Sequence, residues 1–161
     1  MARPLKASVK KNLNMQGFGN LDEEAKTRYA SPLRFTPVVG SSLIVVGLVL
    51  HSPIWLGSMA LVALSGAILP NGMLIDLVYN LGVRHISHAP PLPSTPKPRQ
   101  FSYLLSTVLL AGSSLSFHYG LNLLGFLLGG VVVIGGTILT TTLWCLGSWC
   151  YGQVFGRARA T

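Results

Sequence analysis

The chain has 161 residues and a net charge of +8, and half of its residues are hydrophobic while only 10% are charged. Soluble domains carry about a quarter charged residues, so this composition predicts an integral membrane protein and argues against an ordinary soluble domain. The charges are also unevenly placed, because residues 35–75 and 100–156 contain no Asp, Glu, Lys or Arg.

Residues 1–34 are predicted to form a basic cytoplasmic tail with one short helix. In the stretch NLDEEAKTRYASP, Asn20 is the expected cap, Glu23 occupies the reciprocal capping-box position and Pro32 follows the end of the helix. The preceding residues 1–20 are basic with scattered apolar side chains, so they are expected to be disordered unless a membrane surface or a partner orders them. No apolar core with a cleavage site follows the basic start, so no signal peptide is expected.

Each charge-free block is too long for one membrane span, because a hydrocarbon core of about 30 Å needs about 20 helical residues. Residues 35–70 therefore predict one transmembrane hairpin, with its turn at His51-Ser52-Pro53, since proline begins a helix well and interrupts one badly. Residues 101–155 predict a second hairpin with a turn at 117–122. The spans are expected at 36–51, 54–70, 101–117 and 122–152.

Residues 71–100 are predicted to join the hairpins through an interfacial helix and a proline-rich strap. Leu74, Leu77, Val78 and Leu81 recur at helical spacing, and Asp76 is expected on the wetter face of this helix. The following APPLPSTPKPR is expected to be extended, because its prolines prevent a helix. The predicted fold class is thus all-α: an integral membrane protein with four transmembrane helices in two hairpins, plus short cytoplasmic and interfacial helices.

The basic residues predict the orientation of this fold. Lys and Arg residues lie in the N-terminal tail, in the segment between the hairpins and in the basic C-terminal tail at 156–161, whereas the two hairpin turns contain none. By the positive-inside rule, all three basic segments and both termini face the cytoplasm. Orientation and attraction to anionic headgroups account for the net charge, and no motif indicates a nucleic-acid partner.

The final span carries a face of small residues. Gly125, Gly129 and Gly136 lie within about 40° of one another at the helical period, with Thr140 close by, and GFLLG is a small-xxx-small motif. This face is predicted to pack against another helix, within the chain or in a partner, and a ligand groove is the alternative.

Both cysteines lie in the last apolar run. On one continuous helix, Cys145 and Cys150 would point about 140° apart, too far for an undistorted disulfide, and neither has a second Cys or His at metal-ligand spacing. Cys145 shares an i, i+3 ridge with Ser148 and then Tyr151, beside tryptophans that are typical of the membrane interface. Packing and anchoring is one interpretation of this ridge, and a single reactive thiol at the cytoplasmic surface is the other.

The four histidines occur in two places. His51 and His118 lie in the two predicted non-cytoplasmic turns, and His85 and His88 lie on the cytoplasmic side. They are interpreted either as solvated interface residues or as ligands to a chlorin or haem.

Segments spread over nearly the whole chain carry a family resemblance. They are MQGF with LDEEA (15–25), PLRFTP (32–37), LVYNLGVRHISHAPPLP (77–93), KPRQF (97–101) and CLGSWCYGQVFG (145–156). Together they resemble a bacterial four-span membrane family, domain-of-unknown-function family four-three-nine-five. The resemblance implies a terminal Cys-x-x-Cys or Cys-x-x-Ser motif with a following Tyr, which corresponds here to Cys145, Ser148 and Tyr151 in the serine form. It implies the bacterial inner (cytoplasmic) or intracytoplasmic membrane, and no established activity.

Two functional hypotheses follow. The first is a non-catalytic accessory or scaffold subunit that packs on a larger membrane complex through its glycine face and basic tail. An energy-converting or photosynthetic (reaction centre or light-harvesting) assembly is a candidate host, with membrane lipids and partner membrane subunits as contacts, and bound lipid, (bacterio)chlorophyll or carotenoid as cofactors. The second is a membrane thiol protein in sulfur or redox traffic that uses Cys145. The absence of nucleotide-loop, serine-triad and intramembrane charged motifs argues against an ATPase, a protease or a proton-coupled transporter.

Overall fold

A computed structural model describes residues 5–69, 73–87 and 90–155 of the chain. These residues form helices and no strand, so the all-α prediction is confirmed. The helices are α1 (Ala7–Leu13), α2 (Glu23–Tyr29), α3 (Phe35–Val49), α4 (Pro53–Ile68), α5 (Leu74–Val78), α6 (Arg84–Ser87), α7 (Lys97–His118), α8 (Asn122–Thr142) and α9 (Leu146–Phe155). Short π-helical turns follow α1 at Asn14–Phe18 and α5 at Tyr79–Val83, and a 3-10 turn at Pro32–Arg34 precedes α3. The predicted basic tail at 156–161 lies outside the described residues.

The four long helices α3, α4, α7 and α8 form an antiparallel bundle. Helix α4 packs mainly on α7, and α3 packs mainly on α8, so the two hairpins are held together by contacts between them. The core between these helices contains Ile44, Leu48, Leu56, Ala60, Leu110 and Phe117. One end of the bundle, the turn end, holds the two hairpin turns, and the opposite end, the α9 end, holds the remaining helices.

Both predicted hairpin turns are present. Pro53 occupies the first turn of α4, and the hydroxyl of Ser52 accepts a hydrogen bond from the backbone N–H of Trp55 (3.3 Å), so this helix starts where the sequence predicts. The second turn contains Gly120 at a φ of 76°, a left-handed conformation that glycine adopts without strain.

Close approach of α4 to α7 depends on a row of small residues that the sequence analysis did not single out. Gly57, Ala60, Ala63 and Gly66 recur every three residues along α4, and Gly57 and Gly66 face side chains of α7. Hydroxyl groups of α7 add hydrogen bonds across the bundle: Ser114 donates to the carbonyl of Pro53 (2.6 Å). Small residues and interhelical hydroxyl bonds are typical of helix packing in lipid.

Two helical segments are long and apolar enough to cross a membrane, namely Pro32–Val49 and Asn122–Thr142. Helix α4 has only 16 residues, and α7 has 22 but begins with Lys97 and is rich in serine. Length and composition therefore support two spans, and the prediction of four is not established by them.

The predicted single helix over 122–152 is wrong. Helix α8 ends at Thr142, Leu143 adopts a left-handed conformation with a φ of 54°, and α9 begins at Leu146. Hydrogen bonds from the N-terminal segment hold this break: Gln16 Nε2 donates to the carbonyl of Leu143 (2.6 Å) and Asn12 Nδ2 donates to that of Thr142 (2.8 Å). These amides satisfy carbonyl groups that lack a partner at a helix C-terminus.

The N-terminal segment is ordered by contacts within the chain, where the sequence predicted disorder unless a membrane surface or a partner ordered it. Its apolar side chains pack with the residues before α3 and after α8, in a cluster of Leu13, Phe18, Ala30, Leu33 and Leu143. The short helix in residues 20–32 is present, but its predicted cap is wrong. Helix α2 starts at Glu23 with Asp22 at the N-cap position, two residues after Asn20, and no side chain caps it.

The orientation of α5 is opposite to the prediction. Asp76 is only 7% exposed and accepts a hydrogen bond from the hydroxyl of Thr36, whereas Leu81 is 78% exposed. Hydrogen bonding to α3 turns the carboxylate inward, so the apolar side of this segment faces outward. The proline-rich strap is extended over residues 90–96, but Lys97, Pro98 and Arg99 already belong to α7, because a proline fits the first turn of a helix.

Candidate functional site

The glycine face of α8 contacts other helices of the same chain. A methyl group placed on Gly129 would lie 2.6 Å from the side chain of Leu48 in α3, and one on Gly125 would lie 2.8 Å from the ring of Phe117 in α7. Gly136 approaches Ser41 of α3, and Thr140 donates a hydrogen bond to the carbonyl of Gly136 (2.8 Å). The three glycines of this predicted face therefore contact α3 and α7 of the same chain, Thr140 hydrogen-bonds within α8, and Gly136 also lines a cavity described below.

The described histidines lie far apart in two groups. The ring of His51 packs edge-on against Phe117 and Phe126, with centroids 5.6 and 5.0 Å apart, and His118 packs against Tyr119. His85 accepts a hydrogen bond from Arg84 Nε (3.4 Å). His88 lies outside the described residues. Within the described ranges, no three His, Cys, Asp or Glu residues are grouped as metal ligands, and the predicted chlorin or haem ligation stays a prediction.

Cys145 lies at the N-terminus of α9, in the break after α8. Its carbonyl accepts the hydrogen bond from the backbone N–H of Trp149 (3.0 Å), so Cys145 occupies the N-cap position of this helix. Its side chain is 8% exposed, and its sulfur lies 3.0 Å from the hydroxyl oxygen of Ser102 in α7. Ser148 is one turn further along α9, and its hydroxyl lies 3.3 Å from the same oxygen. The structure thus groups Cys145 and Ser148 with a serine 43 residues earlier in the chain.

The hydroxyl of Ser102 can act on either protonation state of the thiol. It donates to the carbonyl of Pro98 (3.1 Å) and is then free to accept from the Cys145 S–H. Rotation of the same proton toward sulfur would instead stabilise a thiolate, because a serine hydroxyl has one donor and two acceptor positions. Ser102 can therefore hydrogen-bond to the thiol as an acceptor and to the thiolate as a donor.

A glycine allows this contact between α9 and α7. A methyl group on Gly147 would lie 2.7 Å from the Cα of Ser102 and 2.6 Å from its hydroxyl oxygen. Any larger residue at this position would push the helix carrying Cys145 away from Ser102. Gly147 thus determines the geometry of the site without taking part in its chemistry.

A buried arginine lies one turn before Ser102 on α7. Arg99 is 4% exposed, its Nε donates to the hydroxyl of Tyr103 (3.1 Å), and it interacts electrostatically with Asp76 and with Cys145. Among the described residues it forms no direct ion pair, and buried Asp76 is the carboxylate that partly balances its charge. A positive charge and a helix N-terminus both favour negative charge at the position of the sulfur.

An internal cavity of about 150 Å³ extends from Cys145 into the bundle. It lies between α3, α4, α7 and α8, its lining is mostly aliphatic, and no charged residue lines it in the part of the chain that the structure describes. Leu105 of α7 and Val131 of α8 line the cavity and are also exposed on the outer surface, so these two side chains stand between the cavity and that surface.

The other residues of the predicted ridge do not join the site. The ring of Tyr151 packs against Phe101 and Phe155, with centroids 5.8 and 4.8 Å apart. Cys150 is a half-buried free thiol and does not line the cavity.

Sequence reasoning missed Arg99, Ser102, Gly147 and Asp76 as members of this site. Arg99 and Ser102 were visible only as residues at the entrance of the second hairpin, and no spacing along the chain relates them to Cys145. The usable signal was an arginine directly before each charge-free block, Arg34 and Arg99, since a basic residue there is either solvated or specifically buried.

The model of one family, described as a domain of unknown function (DUF4395), matches residues 29–155. The chain belongs to this family. The DUF4395 match includes every residue of the thiol site and of the cavity. It leaves out α1, which contains Asn12, and the following π-helical turn, which contains Gln16, although these two residues hold the end of α8. No curated protein and no solved structure matches the chain.

Proposed function

We propose that this DUF4395 protein is a four-span membrane protein that uses Cys145 as a single exchange thiol on the cytoplasmic side. The four spans are α3, α4, α7 and α8, and the α9 end, which contains the basic segments, faces the cytoplasm. The protein acts in sulfur or redox traffic, by thiol–disulfide exchange.

Helix α8 supports the membrane part of the proposal. Its 21 residues contain no charge, and only 11% of its apolar stretch is buried inside the chain. Leu123, Leu127 and Ile134 are more than half exposed. A core helix of a soluble protein would be mostly buried, so such an exposed apolar surface fits lipid contact.

One observation carries the thiol part of the proposal: the Cys145 sulfur lies 3.0 Å from the hydroxyl of Ser102 at a helix N-terminus, with buried Arg99 nearby. Reactive cysteines occur where positive charge and helix N-termini stabilise the thiolate. An inert structural cysteine needs neither a buried guanidinium nor a hydroxyl in contact with its sulfur.

The reaction is a monothiol exchange. Cys145 reacts as the thiolate, to which the Ser102 hydroxyl donates a hydrogen bond. The Cys145 sulfur attacks one sulfur of a substrate disulfide, the S–S bond of the substrate breaks, and a mixed disulfide between Cys145 and the remaining half is formed. The leaving thiolate takes up a proton from solvent, which replaces the proton that the Cys145 thiol released to solvent. Residue 148 is a serine and cannot resolve this mixed disulfide as a second cysteine would, so a separate small thiol releases the product and restores Cys145.

The accessory-subunit hypothesis stays a prediction. The two features that motivated it, the glycine face and the basic N-terminal segment, make their described contacts within the chain. No described feature supports a photosynthetic host, and the pigment and lipid cofactors predicted from such a host stay predictions as well.

The thiol proposal is tested with dithiodipyridine, which releases a coloured product on exchange. In folded Cys150→Ser protein in mild detergent, we expect one equivalent to react at Cys145. Arg99→Gln should slow this reaction by about tenfold, the factor that corresponds to ~1.4 kcal/mol of lost interaction with a charged group. Arg28→Gln, which removes an exposed arginine from α2, is the matched control and should not change the rate. Reaction of Cys145 only after unfolding would refute the proposal.

The topology is tested with single cysteines introduced into a variant without native cysteines. Residues 52 and 119 should be labelled by an impermeant reagent only from outside, and residue 10 and the exposed residue 94 only from the cytoplasmic side. External labelling of residue 94 would contradict four spans.

A further inference from the structure

The position of Cys145 restricts which disulfides can reach it. With 8% exposure, the sulfur cannot contact the disulfide of a folded protein partner or a bulky hydrophilic disulfide without rearrangement of the bundle. The cavity, by contrast, extends from Cys145 into the bundle, and Leu105 of α7 and Val131 of α8 stand between it and the outer surface. A molecule that passes between these two side chains enters from the side of the bundle, where the exposed residues are apolar.

The size and lining of the cavity indicate the class of molecule. A volume of about 150 Å³ is that of an apolar protein cavity that holds benzene, so about six heavy atoms fit. The lining is mostly aliphatic and uncharged, which favours an apolar group and disfavours a charged or strongly hydrated one.

Two hydroxyl groups in the lining indicate that the occupant also has an acceptor. Ser41 and Ser106 line the cavity, and neither hydroxyl hydrogen-bonds to any residue that the structure describes. The neighbouring hydroxyl of Ser42, by contrast, donates to the carbonyl four residues earlier on its own helix (2.9 Å). A polar end on a small apolar molecule would satisfy them.

We infer that the cavity is a binding site for a small apolar disulfide or persulfide that enters from the bilayer between α7 and α8 and exchanges with Cys145. This inference rests on the proposed thiol function and assigns its substrate class. The reaction is unchanged: the Cys145 sulfur bonds to the bound sulfur, the S–S bond of the substrate breaks, and the leaving thiolate or hydrosulfide takes up a proton from solvent. The apolar half remains in the cavity as the mixed disulfide.

The experiment compares two disulfides at two cysteines. Di-n-butyl disulfide and glutathione disulfide are added separately to Cys150→Ser protein, which retains Cys145, and to Cys145→Ser protein, which retains Cys150. Intact mass measures the rate of adduct formation. Cys150 serves as the control for general enrichment of apolar reagents in detergent or lipid, because it lies on the same helix but does not line the cavity. We expect butyl disulfide to modify Cys145 at least tenfold faster than Cys150, and glutathione disulfide to show the opposite preference.

A pair of glycines on α8 provides matched variants. A methyl group at either Gly135 or Gly130 meets no atom within 4 Å, but only Gly135 lines the cavity. Gly135→Leu should therefore lower the rate of butyl disulfide at Cys145 at least tenfold, and Gly130→Leu should leave it unchanged. Val131→Trp, at the exposed edge of the cavity, should also lower the rate, and it keeps the test decisive if Gly135→Leu unfolds.

The outcomes separate the inference from the proposed function. If native Cys145 does not react with dithiodipyridine, both fail. If it does react but glutathione disulfide modifies it as fast as butyl disulfide, only the apolar substrate class is overturned. Equal rates of butyl disulfide exchange at Cys145 in Gly135→Leu, Val131→Trp and Gly130→Leu would show that the reagent does not reach Cys145 through the cavity. The proposed thiol function would be unaffected by that result.

Discussion

Replacing Gly147 with alanine tests whether the close approach of α9 to α7 creates the thiol site. The added methyl group would lie 2.7 Å from the Cα of Ser102, whereas ordinary contacts begin at 3.4 Å. A backbone atom cannot rotate away as the end of a side chain can, so α9 must move outward by about 0.7 Å.

This movement has two measurable consequences. Overpacking of this kind costs about 1–3 kcal/mol of stability, which corresponds to a lower Tm by about 2–4 °C per kcal/mol. The sulfur of Cys145, now 3.0 Å from the hydroxyl oxygen of Ser102, would move to about 3.7 Å, which lengthens and weakens this hydrogen bond. We therefore expect the exchange rate of Cys145 to fall by about tenfold, as ~1.4 kcal/mol of thiolate stabilisation is lost.

The assay is the rate of dithiodipyridine exchange in Cys150→Ser protein, measured together with thermal unfolding in detergent. Gly152→Ala is the matched control, because it lies on the same helix and a methyl group there meets no atom within 4 Å. The control should retain both the rate and the Tm. If Gly147→Ala behaves like Gly152→Ala, the contact between α7 and α9 does not determine the reactivity of the thiol, and the reasoning is refuted.

Three further outcomes are expected. Gly129→Leu should lower the Tm of the isolated protein, because the new side chain overlaps α3 within the chain at a cost of about 1–3 kcal/mol of stability. Gly130→Leu on the same helix is the control and should leave the Tm unchanged. Equal Tm values for the two variants would contradict internal packing of the glycine face. Thr36→Val removes the hydrogen-bond donor of a buried carboxylate and should cost about 1–3 kcal/mol by thermal unfolding, whereas Thr36→Ser retains the donor and should cost less. Lys10 donates a hydrogen bond to Glu23 (2.6 Å), which lowers the pKa of Glu23 below its usual value. This pair therefore stabilises the N-terminal segment at neutral pH. The stabilisation is lost as the pH falls through the lowered pKa. An NMR titration should show the pKa of Glu23 rising in Lys10→Ala, and an unchanged value would exclude the ion pair.

The hairpins were predictable because local residues determine where they turn. Pro53 starts α4 and Gly120 adopts the left-handed conformation in the second turn. Both effects come from the residue's own backbone preferences and need no partner elsewhere in the chain. The helices therefore begin and end close to the predicted positions at both turns.

The break after α8 was not predictable from local residues. Leu143 is neither glycine nor proline, and its left-handed conformation depends on a hydrogen bond from Gln16, which is 127 positions away. Because Cys145 lies in this break, the geometry of the thiol site depends on the same long-range contact. The burial of Asp76 was missed for a similar reason, since its partner Thr36 lies 40 positions away.

The hydrogen bonds from Asn12 and Gln16 to the end of α8 also bear on the order of biosynthesis. The N-terminal segment is translated first, but the carbonyls that it binds are translated roughly 130 residues later. Until α8 has been inserted, Leu13 and Phe18 lack the Leu143 side chain of their cluster. The N-terminal segment can thus pack against the end of α8 only after both hairpins have been synthesised. A chain truncated within α8 would keep this apolar segment accessible to proteases and chaperones.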